Sequence, residues 1–357
     1  MKALVTANLS DDGLDRLRND LGFEVDYHPM AEREDRYPSE RVRELVADAD
    51  VFVVGYEGVD GDVLDAAPDL KVVACPRGGP EANVDVGAAT ERGIPVLYAP
   101  GRNAVSVADF TLGLLLDATR HIAHSHHLLH TGVYTGEPRA DSVSGGERED
   151  VTWGVDKDSP YVHLKGPELD GKRLGIVGLG AIGRLVAERA SGFGVEMVGH
   201  DPFVDAETMA DYGVEKVDLD ELCATSDFVT LHAPVTDATR GLIDAEQFER
   251  MQSSAFFVNT ARAALIDQDA LIDQLQSGGL RGAALDVYSE EPLPEDHPLL
   301  DMDNVVTTPH LAGAAEEVVD HHTEMVVDDI AALFEGGRPA HVANEDALDG
   351  VDIAVTR

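Results

Sequence analysis

The chain has 357 residues, more than one ordinary hydrophobic core accommodates, so two domains are expected. It carries 68 acidic against 27 basic residues, a formal net charge of −41, which argues against nucleic acid and anionic membrane surfaces as partners. No apolar run approaches the roughly twenty residues that cross a bilayer. Charge of this size opposes the compact state unless salt screens it, over a length that falls to about 3 Å at molar ionic strength. The carboxylates are spread through every segment and only six bases are lysines, which reads as adaptation to a salt-rich cytoplasm.

The first residues, Met1-Lys-Ala-Leu-Val-Thr, open directly as a strand without the pattern of a secretion signal, and a cytoplasmic protein is expected. From residue 1 to about 100, β-branched runs at 3–6, 51–54, 72–75 and 95–98 alternate with helical stretches such as 39–47. Ser10 is placed to cap a helix running to Leu21, and Gly22 to stop it. Such alternation predicts a parallel sheet with helices on both faces. Cys75 and Cys223 lie far apart with no CxxC partner, so neither a disulfide framework nor a zinc site is expected.

The segment 105–129, with Leu112, Leu114, Leu115 and Leu116, is apolar nearly all round and predicts a helix buried between domains or subunits. Histidines 121, 124, 126, 127 and 130 fall at helical spacing. No carboxylate or cysteine accompanies them at ligand spacing, so no metal is expected. Residues 136–166 are polar and acidic and read as a long surface loop or arm.

A second alternating series starts near 172, with strands at 195–200, 228–231, 255–259, 282–287 and 305–308 and a helix at 269–276. Its first strand runs through Gly178-Leu-Gly180-Ala181-Ile182-Gly183 into an amphipathic helix. Gly178 permits the tight turn, Gly180 lets backbone approach a pyrophosphate, Gly183 allows helix and strand to pack closely, and the helix N-terminus favours the anion. Asp201, about twenty residues on, ends the next strand, where a carboxylate accepts from ribose hydroxyls and repels a 2′-phosphate. NAD is therefore favoured over NADP. A helix is expected from about 314 to 335, followed by an acidic tail at 346–357.

Ligands of such sheets sit at the carboxyl ends of the strands. There the second series offers His232-Ala233-Pro234, Asn259-Thr260-Ala261-Arg262, Asp286 to Glu291-Pro292, and Thr308-Pro309-His310. With VGLGAIG, LHAPVTDATRGLI, NTARAALID, ALDVYSEEPLP and TPHLAG in order, the chain from about 45 to 345 resembles the D-isomer-specific 2-hydroxyacid dehydrogenases, a family that includes glycerate, phosphoglycerate and hydroxypyruvate-type enzymes. The resemblance implies an α/β architecture of two doubly wound domains, a Rossmann NAD-binding domain (104–311) inserted into a flavodoxin-like substrate domain (1–103 and 312–345). It implies Arg262, Glu291 and His310 as the catalytic set, and a homodimer assembled through 105–165. Thr260, Ala261 and Asp286 would face the nicotinamide, with His232 to Pro234 beneath the cofactor; Thr239, Arg262 and His310 belong to the same expected pocket. The chemistry agrees: a guanidinium orients a carboxylate, an imidazole exchanges a proton near neutrality, and a carboxylate on its other nitrogen favours the protonated ring.

The pattern departs from the family in the first domain, where 76–85 reads PRGGPEANVD. Pro80 replaces a glycine and has no N–H to donate; Arg77, Gly78 and Gly79 remain as expected substrate-binding residues. Gly55-Tyr56-Glu57 stands where phosphoglycerate-type members carry a base, which disfavours a phosphorylated substrate. The expected activity is interconversion of a small 2-oxo acid and its D-2-hydroxy acid with the interdomain cleft closing on them. The alternatives are a non-catalytic NAD-sensing or corepressor-type protein of the same fold, or formate oxidation, against which Glu291 in place of glutamine weighs.

Overall fold

The computed structural model describes residues 1–136, 157 and 159–350, with backbone alone at 349 and 350. Most of the expected arm and the end of the expected tail lie outside the described residues. The chain divides into two compact units, Met1–Asn103 with Ala314–Arg357, and Ala104–Gly313.

In the first unit, β1 (Lys2–Val5), β2 (Glu24–Tyr27), β3 (Val51–Val53), β4 (Val72–Cys75) and β5 (Val96–Tyr98) form one parallel sheet in the order β2-β1-β3-β4-β5. That is the 2-1-3-4-5 order of flavodoxin-like sheets. Successive side chains alternate faces. Ala3, Val5, Val51, Val53, Val72 and Ala74 pack with Leu14, Leu17, Val326 and Ile330 on one side; Leu4, Phe52, Val73 and Cys75 pack with Val42, Val46, Val63 and Ala89 on the other. Phe52 is fully buried, and truncating such a side chain to alanine costs about 3–5 kcal/mol. Ser10 caps the helix Asp11–Asp15 by accepting from the Gly13 N–H. The chain then widens into a looser turn over Arg16–Asp20 and reverses at Gly22, whose φ is 71°. The last long helix, Val318–Phe334, starts later than the expected 314 and supplies Val326, Val327, Ile330, Leu333 and Phe334 to this unit's core.

The second unit holds β6 (Arg173–Val177), β7 (Glu196–His200), β8 (Val214–Lys216), β9 (Phe228–Leu231), β10 (Phe256–Asn259), β11 (Gly282–Leu285) and β12 (Val305–Thr307). All pairs are parallel, in the order β12-β11-β10-β9-β6-β7-β8. Read from β8, this is the dinucleotide-binding order with one further strand, and it reverses between β6 and β9. A crevice opens at such a reversal, so the loops after β6 and β9 are where a ligand is met.

The segment 105–129 is not one helix. It forms Ala104–Arg120 and Ile122–His130, broken at His121, which adopts φ 55°. Asp117 accepts the Ala123 N–H at 2.7 Å and so starts the second helix. Leu112, Leu114 and Leu115 are buried in this unit's own core with Val186, Ala187 and Phe256. Cys75 and Cys223 are both free and buried.

Candidate active site

At the turn after β6, Gly178 has φ 91° and a Cβ there would lie 2.8 Å from the His232 carbonyl carbon. Only glycine fits both conditions. A Cβ on Gly183 would lie 2.1 Å from the Gly178 oxygen, whereas one on Gly180 meets nothing within 4 Å. Gly180 thus opens on free space at the head of the helix Ala181–Ala190, which has no side-chain cap. Asp201 accepts from Leu179 N–H and Phe203 N–H, each at 2.9 Å, one on each oxygen. Both oxygens keep lone pairs for a further donor.

His310 and Glu291 meet through Nδ1 and Oε2 at 2.7 Å. The other Glu291 oxygen accepts the Tyr288 N–H at 3.0 Å. Burial works against the charged form of Glu291, but the bonds from His310 and Tyr288 and the nearby Arg262 charge outweigh it, and its pKa lies below the ordinary 4.5. Arg262 is exposed and its guanidinium donates to the Ala261 carbonyl at 2.6 Å. Arg262, Glu291 and His310 line one cavity of about 730 Å³, together with Val235 and Tyr288.

The supports of these groups come from Asn259, Thr260, Asp286 and Thr239, which the sequence also places near the strand ends. Asn259 is fully buried; its carbonyl oxygen accepts from Ala261 N–H at 2.9 Å and its amide donates to the Arg262 carbonyl at 3.2 Å. It therefore fixes the turn that presents Arg262. Thr260 is buried and bonds to Thr111 at 2.8 Å. Asp286, also fully buried, accepts from the Thr308 hydroxyl (2.6 Å), Leu311 N–H (2.7 Å) and Ala312 N–H (2.8 Å). These bonds bracket His310, which is held at φ 56°, an uncommon conformation for a side-chain-bearing residue. Thr239 donates to the Pro234 carbonyl at 2.6 Å and accepts from Thr236 N–H at 2.8 Å, bracing the loop that follows Ala233.

His232 differs from His310. It is buried, and burial pushes its pKa down to about 3, so it is neutral. Its Nε2 bonds to Thr230 at 2.9 Å and its Nδ1 is buried without a partner. This buried ring nitrogen lies at the loop that meets Gly178.

In the first unit, Gly78 and Gly79 are exposed and Arg77 half-buried after β4, while Pro80 is buried. Glu57 does not present its charge to solvent. It is fully buried, accepting from Thr6 Oγ1 at 2.7 Å and from Arg33 at 2.8 Å. Its charge is thus paired within the unit, while the absence of a base at 55–57, on which the expectation about phosphate rests, is unchanged.

The open glycine turn, the uncapped helix start, the Asp201 carboxylate and the orphaned His232 nitrogen together fit a dinucleotide, which Gly178, Gly180, Ala181, Ile182, Gly183 and Asp201 would hold. Residues 112–312 match the family model described as D-isomer specific 2-hydroxyacid dehydrogenase, NAD binding domain. The chain is 38% identical to a D-3-phosphoglycerate dehydrogenase of Methanocaldococcus jannaschii over 96% of its own length and 59% of that protein's. It spans 61% of a second, from Archaeoglobus fulgidus, at 36% identity over 99% of its own length; it therefore covers about three fifths of these relatives. A glyoxylate reductase of Korarchaeum cryptofilum is 35% identical, with 97% of both chains covered. Among solved structures, one from Thermus thermophilus superposes with a TM-score of 0.77 at 34% identity, covering 96% of this chain and 100% of that one. By its motif order, its sheet topology and these matches, the chain belongs to the D-isomer specific 2-hydroxyacid dehydrogenase family and has that family's NAD-binding domain.

Proposed function

We propose that the protein is an NAD-dependent oxidoreductase that interconverts a small 2-oxo acid and the corresponding D-2-hydroxy acid. The observation that carries this reading is the gathering of Arg262, Glu291 and His310 on one cavity, with His310 backed by Glu291 at 2.7 Å. When bound, the cofactor gives hydride to, or takes it from, the substrate C2. Arg262 orients the substrate carboxylate through its planar fork. Glu291 occupies His310 Nδ1, so Nε2 is the ring atom left to give its proton to the oxo oxygen in reduction and to take it back in oxidation. Asp286 and Asn259 hold the backbones that carry His310 and Arg262. Arg77, Gly78 and Gly79 are assigned to substrate binding within the same proposal.

We also propose a homodimer formed through 105–165, supported by the exposed apolar residues Val105, Ile122, Leu129, Val133 and Tyr161, and a setting in a salt-rich cytoplasm, supported by the net charge of −41. Among the described residues no helix is long and apolar enough to cross a membrane.

NADH consumption in molar KCl, measured with glyoxylate, hydroxypyruvate, pyruvate and branched-chain 2-oxo acids, tests the activity. Turnover of at least one acid is expected. Inactivity across the panel would overturn the proposal in favour of a non-catalytic NAD-binding protein.

A further inference from the structure

The helix Ala104–Arg120 reaches the turn that carries Arg262 through one buried side chain. The hydroxyl oxygen of Thr111 lies 2.7 Å from the Val107 carbonyl and 2.8 Å from the Thr260 hydroxyl. A carbonyl has no hydrogen to give, so the single Thr111 hydrogen goes to Val107, one helical turn back. Thr260 must then be the donor in its bond with Thr111. The direction of both bonds follows from one count of hydrogens: Thr111 is the acceptor, and Thr260 spends its hydrogen on the helix.

Thr260 stands between Asn259, the last residue of β10, and Arg262. Asn259 is the last ladder position of its strand, paired with Leu231 on one side and Leu285 on the other, and its side chain shapes the turn from within through Ala261 N–H and the Arg262 carbonyl. Beyond that position, the Thr260 hydroxyl is what bonds the turn to the helix, across 149 positions of chain. The helix is itself fixed. Leu112, Leu114 and Leu115 share one core with Val186 and Ala187 of the helix Ala181–Ala190, and Asp109 pairs with Arg189 of that same helix. One rigid element therefore touches both the helix at whose head the pyrophosphate is expected and the turn that carries Arg262.

We infer that Thr111 is a positioning residue: by accepting the Thr260 hydrogen it holds the 259–262 turn where Arg262 can orient the substrate carboxylate. This rests on the dehydrogenase reading above, and Thr111 acts through Arg262 without touching substrate. Valine at 111 has the same shape and no acceptor. The Val107 carbonyl keeps its helical N–H donor in such a variant, but the buried Thr260 hydroxyl is left unpaired and the turn moves to find another acceptor. A misplacement of about 1 Å can cost about 10² in rate.

The test uses oxamate, an unreactive isostere of pyruvate, bound to the NADH complex and followed by NADH fluorescence, together with kcat and KM for the best 2-oxo acid. Wild type is compared with Thr111→Val, Thr111→Ser, Arg262→Ala and the double variant Thr111→Val/Arg262→Ala. Thr111→Val should weaken oxamate and lower kcat/KM by roughly tenfold or more, with NADH affinity kept within about twofold. Thr111→Ser retains the acceptor and should recover most of both losses. In the Arg262→Ala background, Thr111→Val should add nothing, because the two residues act as one unit. Wild-type oxamate affinity and kcat/KM in a folded Thr111→Val overturn the inference, as does a loss that persists at full size without Arg262. Should Thr111→Val fail to fold, Thr260→Val and Thr260→Ser put the same question to the donor: loss with valine and recovery with serine are expected, and no loss with valine overturns the inference. If wild type reduces no 2-oxo acid, the dehydrogenase reading fails; oxamate binding still reports on Arg262, and its absence as well defeats the inference.

Discussion

The carboxyl ends of the two sheets use the same residue types to opposite effect. In the second unit a carboxylate is presented: Glu291 reaches His310 at 2.7 Å on the cavity wall. In the first unit the carboxylate is withdrawn, since Glu57 is fully buried against Arg33 and Thr6, and two arginines remain. A chain of net charge −41 thus leaves Arg77 and Arg102 without a carboxylate partner among the described residues. Internal pairing, rather than composition, decides which charge a site presents.

Replacing His310 with alanine would break the second-unit half of this contrast most severely. Turnover should fall by about 10²–10⁴, the range for losing a general acid–base, while NADH affinity by fluorescence titration stays close to wild type. Wild-type turnover in that variant would refute the proton-transfer role.

On the first-unit side, Glu57→Gln should leave an uncompensated buried guanidinium and destabilise by about 3–5 kcal/mol, as for broken buried pairs. Denaturant unfolding would measure it. Burial works against the Glu57 charge, but bonds from Thr6 and Arg33 outweigh it and hold its pKa below the ordinary 4.5. Its contribution is therefore complete above that value and is lost as pH falls through the lowered one. Substrate preference should not change, and a change would mean that Glu57 faces ligand after all.

The smallest effect concerns the cofactor. Asp201→Ser should weaken NADH roughly tenfold through lost ribose hydrogen bonds and narrow its advantage over NADPH. An unaltered ratio of the two KM values would remove Asp201 from cofactor selection.

Much of this architecture is legible in the residues, and for identifiable reasons. Interior strands such as β9 and β10 are buried along their whole length, so they read as short apolar runs. The edge strands β2 and β8 fully bury only Val214 between them, and EVDY and VEK carry too little apolar signal to be found. The break at His121 was invisible because apolar periodicity continues across it; only the Asp117 side chain turning back to Ala123 marks it. Arg262, Glu291 and His310 stand out through motif spacing. Arg102 and His322 are 220 positions apart, and no local pattern joins them. Asp286 was legible as a polar residue at a strand end, but its three bonds to the Thr308–Ala312 turn depend on tertiary placement.

The threading of the chain through its two units also sets an order of assembly. One face of the first sheet is closed by Val326, Val327, Ile330, Leu333 and Phe334, which leave the ribosome after the whole of Ala104–Gly313. The half that begins synthesis first is thus the last whose residues are all available.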